Sequence, residues 1–365
     1  MSVAIVFASA EMASRRVAAI PAVARALREV ALSRVDSCTV CIPESWSPPA
    51  FDLQEIERLA PGLKVAFARD LPAGCTLVVT GEALVPAAIL RGALAGTIAP
   101  GTGVYSVESA PRALLSVAAA DALLRAQARA VIAATGKSGD GIVSRTINRP
   151  ISQSITRLLL SLGPVRPYQA TFGTMAVSIA MAATLLFFPG YHGQLWGGLL
   201  FQMASVVDGV DGEIARATFR ATPMGATFDS LVDATTNLSF FACLIINFYL
   251  VGETQAALVG AVALLGLAGG MTLLGIAAVS DRGPVTFNAV KDRLAMRHSR
   301  VIIWLTWFTM RDFYALFALV IIAFGYAVAA AYIFAVIVTG WLIVVVATLL
   351  QRRVPSAVSS QTLDG

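Results

Sequence analysis

The sequence predicts two architectures in one chain: an α/β domain on a Rossmann-type, mainly parallel sheet, then an all-α domain of six transmembrane helices. Three observations lead there. The 365 residues are 57% hydrophobic and 13% charged, with a mean hydropathy of +0.75, well outside the ordinary range for a soluble globular chain. The apolar residues are unevenly spread: the front mixes Arg, Asp and Glu at ordinary density, whereas beyond about Tyr168 the runs are long and uncharged. Within the front, short β-like runs alternate with helical ones.

Those runs are VAIVFA, CTVCIP, KVAFA, TLVVTG and GVYSVE, separated by segments such as residues 20–30. Strands interleaved with helices predict a parallel α/β domain, placed at residues 1–135. The opening MSVAIVFASAEMASRR is too short in its apolar part for a secretory signal, and its charges follow that part, so the front domain is expected to stay in the cytoplasm. Four cysteines occur, Cys38, Cys41, Cys75 and Cys243. Cys38 and Cys41 fall three apart in a strand and so point to opposite faces, which predicts buried structural thiols and no shared metal or disulfide.

Residues 136–166 form a connector in which Lys137, Arg145, Arg149 and Arg157 accompany an apolar stripe. Such a segment suits the anionic cytoplasmic leaflet, the plainer reading being a solvated linker. The membrane domain is placed at 167–353 and a tail at 354–365. Its six candidate spans are 168–188, 194–216, 227–251, 255–279, 309–324 and 327–350, close to the length a bilayer of about 30 Å needs. The turns around PGYHG and around Gly252 and Glu253 carry no Lys or Arg, whereas Arg216, Arg220, Arg282, Lys291, Arg293, Arg297, Arg300, Arg352 and Arg353 fall on the other set of loops. The positive-inside rule then puts both termini in the cytoplasm of an integral inner-membrane protein.

One stretch breaks the apolar pattern: DGVDGEIARATFRATPMGATFDSLVD, from Asp208 to Asp233. Carboxylates near lipid are expensive and by default mark a functional site. Asp208 and Asp211 are three apart and Asp229 and Asp233 four apart, so each pair shares one helix face, and a turn at Thr222 and Pro223 lets the faces meet. Four carboxylates so confined need positive charge among them. An all-oxygen set with no His or Cys nearby suits Mg²⁺ or Mn²⁺. Two hard cations can bridge phosphate oxygens and stabilise a leaving group, which points to phosphoryl-group transfer. Gly212 and Ala215 leave room for a nucleotide at the helix backbone, Gly225 does so on the next helix, and Arg216 offers a planar fork for a diphosphate. Taken singly, small residues also suit close helix packing, and Arg216 also suits a helix anchor at the interface.

The spacing D-x2-D-G-x2-A-R-x8-G-x3-D-x3-D, met by Asp208, Asp211, Gly212, Ala215, Arg216, Gly225, Asp229 and Asp233, resembles the signature of the CDP-alcohol phosphotransferase family. The resemblance implies six transmembrane helices, a homodimer, two divalent cations and transfer of a phospho-alcohol from a CDP-alcohol to an acceptor hydroxyl, with release of CMP. It implies Asp208, Asp211 and Asp229 as main metal ligands, with Asp233 at the metal site and as the base on the acceptor. PYQAT resembles the P-N-x-x-T element of that family, with Tyr168 in place of its asparagine, and makes Thr171 a candidate nucleotide contact. Lys291, Arg293, Arg297 and Arg311 are candidates for an anionic acceptor or donor, or are positive-inside anchors.

The front domain resembles the sugar-nucleotidyltransferase fold fused to this membrane domain in bifunctional inositol-phosphate cytidylyltransferase/di-inositol-phosphate-phosphate synthases, as do SRTINRPIS and RDFYAL. An active domain of that kind wants a glycine-rich loop after the first strand, then Arg and Lys. Here the loop FASAEMASRR has no glycine, Ala22 and Val23 stand where the lysine is expected, and Glu82 stands where a metal-binding aspartate is usual. The expectation is a degenerate domain serving stability, dimerisation or docking; the alternative is a bifunctional enzyme. Expected partners are the lipid bilayer, a donor of CDP-diacylglycerol or CDP-inositol type and an alcohol acceptor, without nucleic acid. The rivals from other classes are a cation-conducting transporter, which wants ionisable groups spread through the bilayer's depth, and a non-catalytic scaffold.

Overall fold

A computed structural model of the chain describes residues 2–110, 115–137, 139–280 and 310–351. The chain forms two compact units, one of Met1–Gly136, Gln153–Arg166 and Gly212–Arg220, the other of Lys137–Ser152, Pro167–Asp211 and Ala221–Gly365.

The first unit is built on strands β1 (Ser2–Val6), β2 (Arg16–Val17), β3 (Ile20–Pro21), β4 (Ser37–Cys41), β5 (Lys64–Ala68), β6 (Leu77–Thr80) and β7 (Val104–Ser106). Helices α1 (Ala10–Ser14), α2 (Ala22–Leu32), α3 (Ala50–Leu59), α4 (Ala87–Leu94) and α5 (Val117–Ala133) alternate with them. The main sheet runs β5-β4-β1-β6-β7, parallel except for the β6–β7 pair, and β2 and β3 make a separate hairpin. Each run singled out in the sequence holds one strand of that sheet. The central strands β1 and β6 read as continuous apolar runs because both their faces are covered. Cys38 packs in the main core with Ile5 and Leu27, while Cys41 faces the other side with Ala4, Cys75 and Val78. Both thiols are free, and burial pushes Cys38 up to about 12 and Cys41 up to about 11.

The loop after β1 is closed from within. Ala8 N–H donates to Glu82 Oε1 (2.7 Å) and Ala10 N–H to Glu44 Oε1 (2.8 Å), while Ser9 caps α1 by accepting from Met12 N–H (3.3 Å). Two carboxylates thus take backbone donors that a phosphate-binding loop would offer to a nucleotide. Glu82 is 1% exposed, its Oε2 has no hydrogen-bond partner, and burial pushes its carboxyl up despite the bond from Ala8.

Helices make up most of the remaining described residues. A π-helical turn, Ser144–Asn148, runs into α6 (Arg149–Leu162), followed by α7 (Pro167–Phe187), α8 (Tyr191–Ala217), α9 (Pro223–Leu250), α10 (Thr254–Ser280), α11 (Arg311–Ala323) and α12 (Ala327–Gln351). The last six coincide with the six apolar runs of the sequence. Among the described residues three helices are long and apolar enough to cross a bilayer: α7, α9 and the Thr254–Leu273 part of α10. Ala327–Ile343 in α12 is apolar but shorter. α8 is more polar, with Gln194 and Gln202 buried along it and acidic residues near its end. The fifth expected span begins at Thr309, outside the described residues.

Within the second unit, Phe201 stacks on Phe240 (4.0 Å) and Phe241 on Phe334 (3.7 Å), joining α8, α9 and α12. Asn247, fully buried near the end of α9, donates to Leu185 O (2.6 Å) and Phe188 O (3.2 Å) and accepts from Gly190 N–H (3.0 Å) and Gln194 Nε2 (2.9 Å). One amide thereby ties the α7–α8 turn to α9. At the other end, Thr222 accepts from Gly225 N–H (3.1 Å) with Pro223 at the first helical position, so α9 starts earlier than the apolar run suggests.

α8 ends unlike its neighbours. α9 and α11 close on left-handed glycines, Gly252 (φ 86°) and Gly325 (φ 81°), with the usual pair of backward hydrogen bonds. At α8 the same bonds form, Arg220 N–H to Ala215 O (2.8 Å) and Phe219 N–H to Arg216 O (3.4 Å), but the left-handed residue is Phe219 (φ 55°). That conformation costs a residue with a side chain about 1–2 kcal/mol. The first unit surrounds this end with arginines. Arg25 Nη2 donates to Ala217 O (2.5 Å), Arg58 donates to Thr218 O (3.0 Å) and Phe219 O (3.2 Å), and Arg220 pairs with Glu55 (2.7 Å). The Phe219 ring lies 3.9 Å from the guanidinium carbon of Arg28 and 5.1 Å from that of Arg25.

Two outcomes follow from the first unit. Cys38 and Cys41 are expected to resist iodoacetamide at pH 8 until the protein is denatured, as read by mass spectrometry of the tryptic peptides. Because the Glu82 carboxyl is raised above its unfolded value, its contribution to stability is full below about pH 4 and is lost as pH rises through its folded value. Thermal unfolding of the detergent-solubilised chain from pH 5 to pH 8 should therefore show Glu82→Gln gaining on the unaltered protein as pH rises.

Candidate active site

Asp208 and Asp211 stand near the end of α8, Asp229 and Asp233 near the start of α9. Helical spacing puts each pair on one face, and the fold brings the faces together: the carboxyl groups of Asp211 and Asp229 lie within hydrogen-bonding reach, and Asp208 also acts on Asp229 through space. Carboxylates that close need a proton or a cation between them. Asp229 Oδ1 is buried and has no hydrogen-bond partner.

Three further elements supply partners. From α7, the Thr171 hydroxyl donates to Asp211 Oδ2 (2.7 Å) and the residue is buried, so it orients one of the expected metal ligands. From the first position of α11, Arg311 lies 3.3 Å from Asp208 Oδ1 and forms an ion pair with Asp233 Oδ1. Its neighbour Asp312 accepts from Ser144 N–H (2.7 Å), which ties α11 to the π-helical turn. From the connector, Arg149 grips Asp140 through Nε (2.7 Å) and Nη2 (3.0 Å), and its Nη1 lies against α8 where a Cβ on Gly209 would come within 3.2 Å. Burial pushes the Asp140 carboxyl up, but the Arg149 guanidinium and the Lys137 N–H outweigh it and hold the group below its ordinary value. The charges of Arg311, Lys137 and Arg149 all act on Asp208. Lys291, Arg293 and Arg297 lie outside the described residues.

The remaining signature residues have local tasks. Arg216 Nε donates to Thr135 O (2.8 Å), and the guanidinium folds over Gly212, where a Cβ would lie 3.0 Å from Nη1. Glycine at 212 therefore makes room for the arginine one turn on. Glu213, fully buried between them in sequence, accepts from Thr156 Oγ1 (2.6 Å). Ala215 supplies the carbonyl that receives Arg220 N–H. At Gly225 a Cβ would lie 3.0 Å from Thr222 Oγ1, the hydroxyl that caps α9.

Hard divalent cations fit this donor set in chemistry. Every donor is a carboxylate oxygen, Asp211 and Asp229 face each other, and the orphaned Asp229 oxygen is the kind of acceptor such a cation satisfies. Among the described residues no three acidic, His or Cys side chains converge on one point. Arg311 draws Asp208 and Asp233 to itself.

Sequence reasoning had not assigned Asp140, Gly209, Asn148 or Asp312. Asn148 accepts from Gln202 (2.9 Å) and donates to Ser205 (3.2 Å), seating the π-helical turn on α8. The one signal was the resemblance of SRTINRPIS and RDFYAL to the fused subgroup; these two stretches contain Asn148, Arg149, Arg311 and Asp312.

The chain compares with known proteins as follows. A bifunctional IPC transferase and DIPP synthase of Thermococcus kodakarensis is 34% identical over 174 residues, covering 47% of this chain and 37% of that protein. One of the same name from Aquifex aeolicus is 37% identical over 106 residues, 29% of this chain and 23% of that protein. A phosphatidylinositol phosphate synthase of Mycobacteroides abscessus is 33% identical over 105 residues, 29% of this chain and 46% of that protein. The matches thus span less than half the length of each relative. The profile of the CDP-alcohol phosphatidyltransferase family matches residues 165–350, half of the chain and the whole of the acidic stretch. By that match, and by a signature complete at every fixed position, the chain belongs to the CDP-alcohol phosphatidyltransferase family.

Proposed function

We propose that the protein is an integral-membrane CDP-alcohol phosphotransferase of polar-lipid head-group synthesis. The observation that carries this is the meeting of Asp211 with Asp229, flanked by Asp208 and Asp233 on Arg311, within the family's signature. In the reaction the acceptor hydroxyl oxygen bonds to the phosphorus that carries the donor's alcohol. The bond from that phosphorus to the bridging oxygen breaks, CMP leaves with the bridging oxygen, and the hydroxyl proton passes to a base.

Asp233 is the proposed base, a carboxylate at the rim of the acidic group. Asp208, Asp211 and Asp229 would hold two Mg²⁺ or Mn²⁺ ions, with Asp233 contributing. Those ions supply charge neutralisation for the diphosphate and the leaving CMP. Thr171 fixes the Asp211 carboxylate, and Arg311 holds Asp208 and Asp233 while no substrate is bound. Arg216 is a further candidate for the diphosphate, and Lys291, Arg293 and Arg311 for an anionic acceptor.

Six spans with both termini and the site on the cytoplasmic side, supported by the positions of Lys and Arg in the sequence, and a homodimer, implied by the family resemblance alone, complete the proposal. The exposed stripe Ile147, Ile151, Leu158 and Leu162 supports a connector lying on the membrane surface. Inositol-type chemistry is favoured by the name of the Mycobacteroides relative and by the resemblance of the fused subgroup. Either CDP-diacylglycerol reacts with a soluble alcohol, or a soluble CDP-inositol reacts with a lipid or sugar-phosphate hydroxyl. A second activity in the front domain is not proposed, given the carboxylates on its loop. The clustering of acidic groups at one end of α8 and α9 speaks against an ion path.

Purified protein incubated with labelled CDP-diacylglycerol or CDP-inositol and an alcohol acceptor should release CMP only when Mn²⁺ or Mg²⁺ is added; metal-independent release, or none with any donor, overturns the reading. Asp233→Asn is expected to lower turnover by about 10²–10⁴ with nucleotide binding largely kept; equal loss of both argues against its role as base. Thr171→Val removes a hydrogen bond to a charged group worth about 1.5–3 kcal/mol and should raise the Mn²⁺ concentration needed for half-maximal CMP release about tenfold or more.

A further inference from the structure

The α/β unit contains a nucleotidyltransferase-like loop whose donors are already taken, so its retention in the chain calls for another task. Its most buried cation among the described residues points to one. Arg25 is 4% exposed, starts from the first turns of α2, and gives none of its bonds to an acid: Nε donates to Val17 O (2.7 Å), and Nη2 to Ala18 O (3.3 Å) and Ala217 O (2.5 Å). Val17 and Ala18 belong to the β2–β3 hairpin, whose two turn residues Ala18 (φ 45°) and Ala19 (φ 64°) are both left-handed. Ala217 ends α8, two residues before left-handed Phe219. One guanidinium therefore bonds a hairpin with two unfavourable backbone positions and the helix end beside a third.

The other contacts converge on the same place. Arg58 binds the next two carbonyls, those of Thr218 and Phe219, while its own position is set by Glu55, which is 2% exposed and also pairs with Arg220. Arg28 and Arg25 stack on the Phe219 ring. Helix ends of the same geometry at Gly252 and Gly325 use glycine, so the backbone gives no reason for phenylalanine at 219; the ring does. These residues lie in the x8 gap of the signature, between Arg216 and Gly225, where the family pattern fixes no residue.

We infer that the α/β unit is a positioning device for the segment that joins the two signature helices, with Arg25, Arg28 and Arg58 as positioning residues and Phe219 as the side chain they hold. The last carbonyls of α8 are fixed by cations from this unit. The exchange arm of the test below is independent of the proposed activity; only the CMP arm rests on it.

The test uses the full chain in detergent or nanodiscs, with hydrogen exchange of peptides covering 217–222 and, as an internal reference, 77–80 in β6. Arg58→Ala and Phe219→Gly are each expected to speed exchange in 217–222 at least tenfold and leave 77–80 unchanged, whereas Phe219→Tyr keeps protection. The sign at Phe219→Gly is decisive, because a role limited to backbone conformation predicts that glycine increases protection there. Unchanged or slower exchange at 217–222 in Arg58→Ala and Phe219→Gly, or an equal rise in 77–80, overturns the inference. Arg25→Ala is left out, since loss of so buried a group risks the fold of the whole unit. CMP release is read on the same samples and is expected to fall severalfold in Phe219→Gly and return in Phe219→Tyr. If the unaltered chain releases no CMP while exchange responds as described, the phosphotransferase reading fails and the positioning role stands.

Discussion

Carboxylates gathered where two apolar helices meet repel one another and lose their hydration, so the fold has to deliver positive charge or hydrogen-bond donors to them. Much of the second unit is arranged around that constraint. α11 begins with Arg311, which reaches Asp208 and Asp233; α7 presents Thr171 to Asp211; and the connector brings Arg149, itself held by Asp140. Glycine at 209 lets the last of these lie directly on the helix. Asn247 does the corresponding work for backbone groups at the far end of α9, where a turn with unpaired amides would be costly beside lipid. Between Asp229 and Asn247 the helix rises about 27 Å, close to the thickness of a hydrocarbon layer.

The first unit answers a different constraint. A helix end leaves carbonyls without partners, and Phe219 adds an unfavourable backbone angle of about 1–2 kcal/mol. Arginine suits both needs, since its fork donates to carbonyls while its flat face stacks on a ring. Three of them, Arg25, Arg28 and Arg58, are spent on residues 217–219. This is a large commitment of charged side chains to a stretch of chain that the family signature leaves open.

Strands and apolar helices were legible because their patterns are local. TLVVTG is apolar throughout since β6 is covered on both faces, and Cys38 and Cys41 separate to opposite sides by strand alternation. The acidic pairs were legible for the same reason, three and four residues marking one helix face. What stayed hidden depends on contacts between distant parts of the chain. Thr171 was read by analogy as a nucleotide contact, and spacing gave no sign of its bond to Asp211, forty residues on. Gly212 and Gly225 were read as openings; the Arg216 guanidinium lies over the first and a capping hydroxyl beside the second, and spacing alone does not separate room for a ligand from room for a neighbour. Asp140 carried no signal at all, because its importance comes from Arg149. The turn at Thr222 and Pro223 was legible, and α9 begins there, a few residues ahead of the apolar span, because the cap precedes the apolarity.

The inward-turned Glu82 has a kinetic meaning as well. A side chain tethered a few ångströms from the Ala8 amide acts as a competitor of very high effective concentration, on the order of millimolar or more, and it cannot diffuse away. A free triphosphate arriving at the loop would have to displace it and also bring its own charge next to that of Glu44. The fold thereby sets two carboxylates, already bonded to the backbone of this loop, against any anion that arrives there.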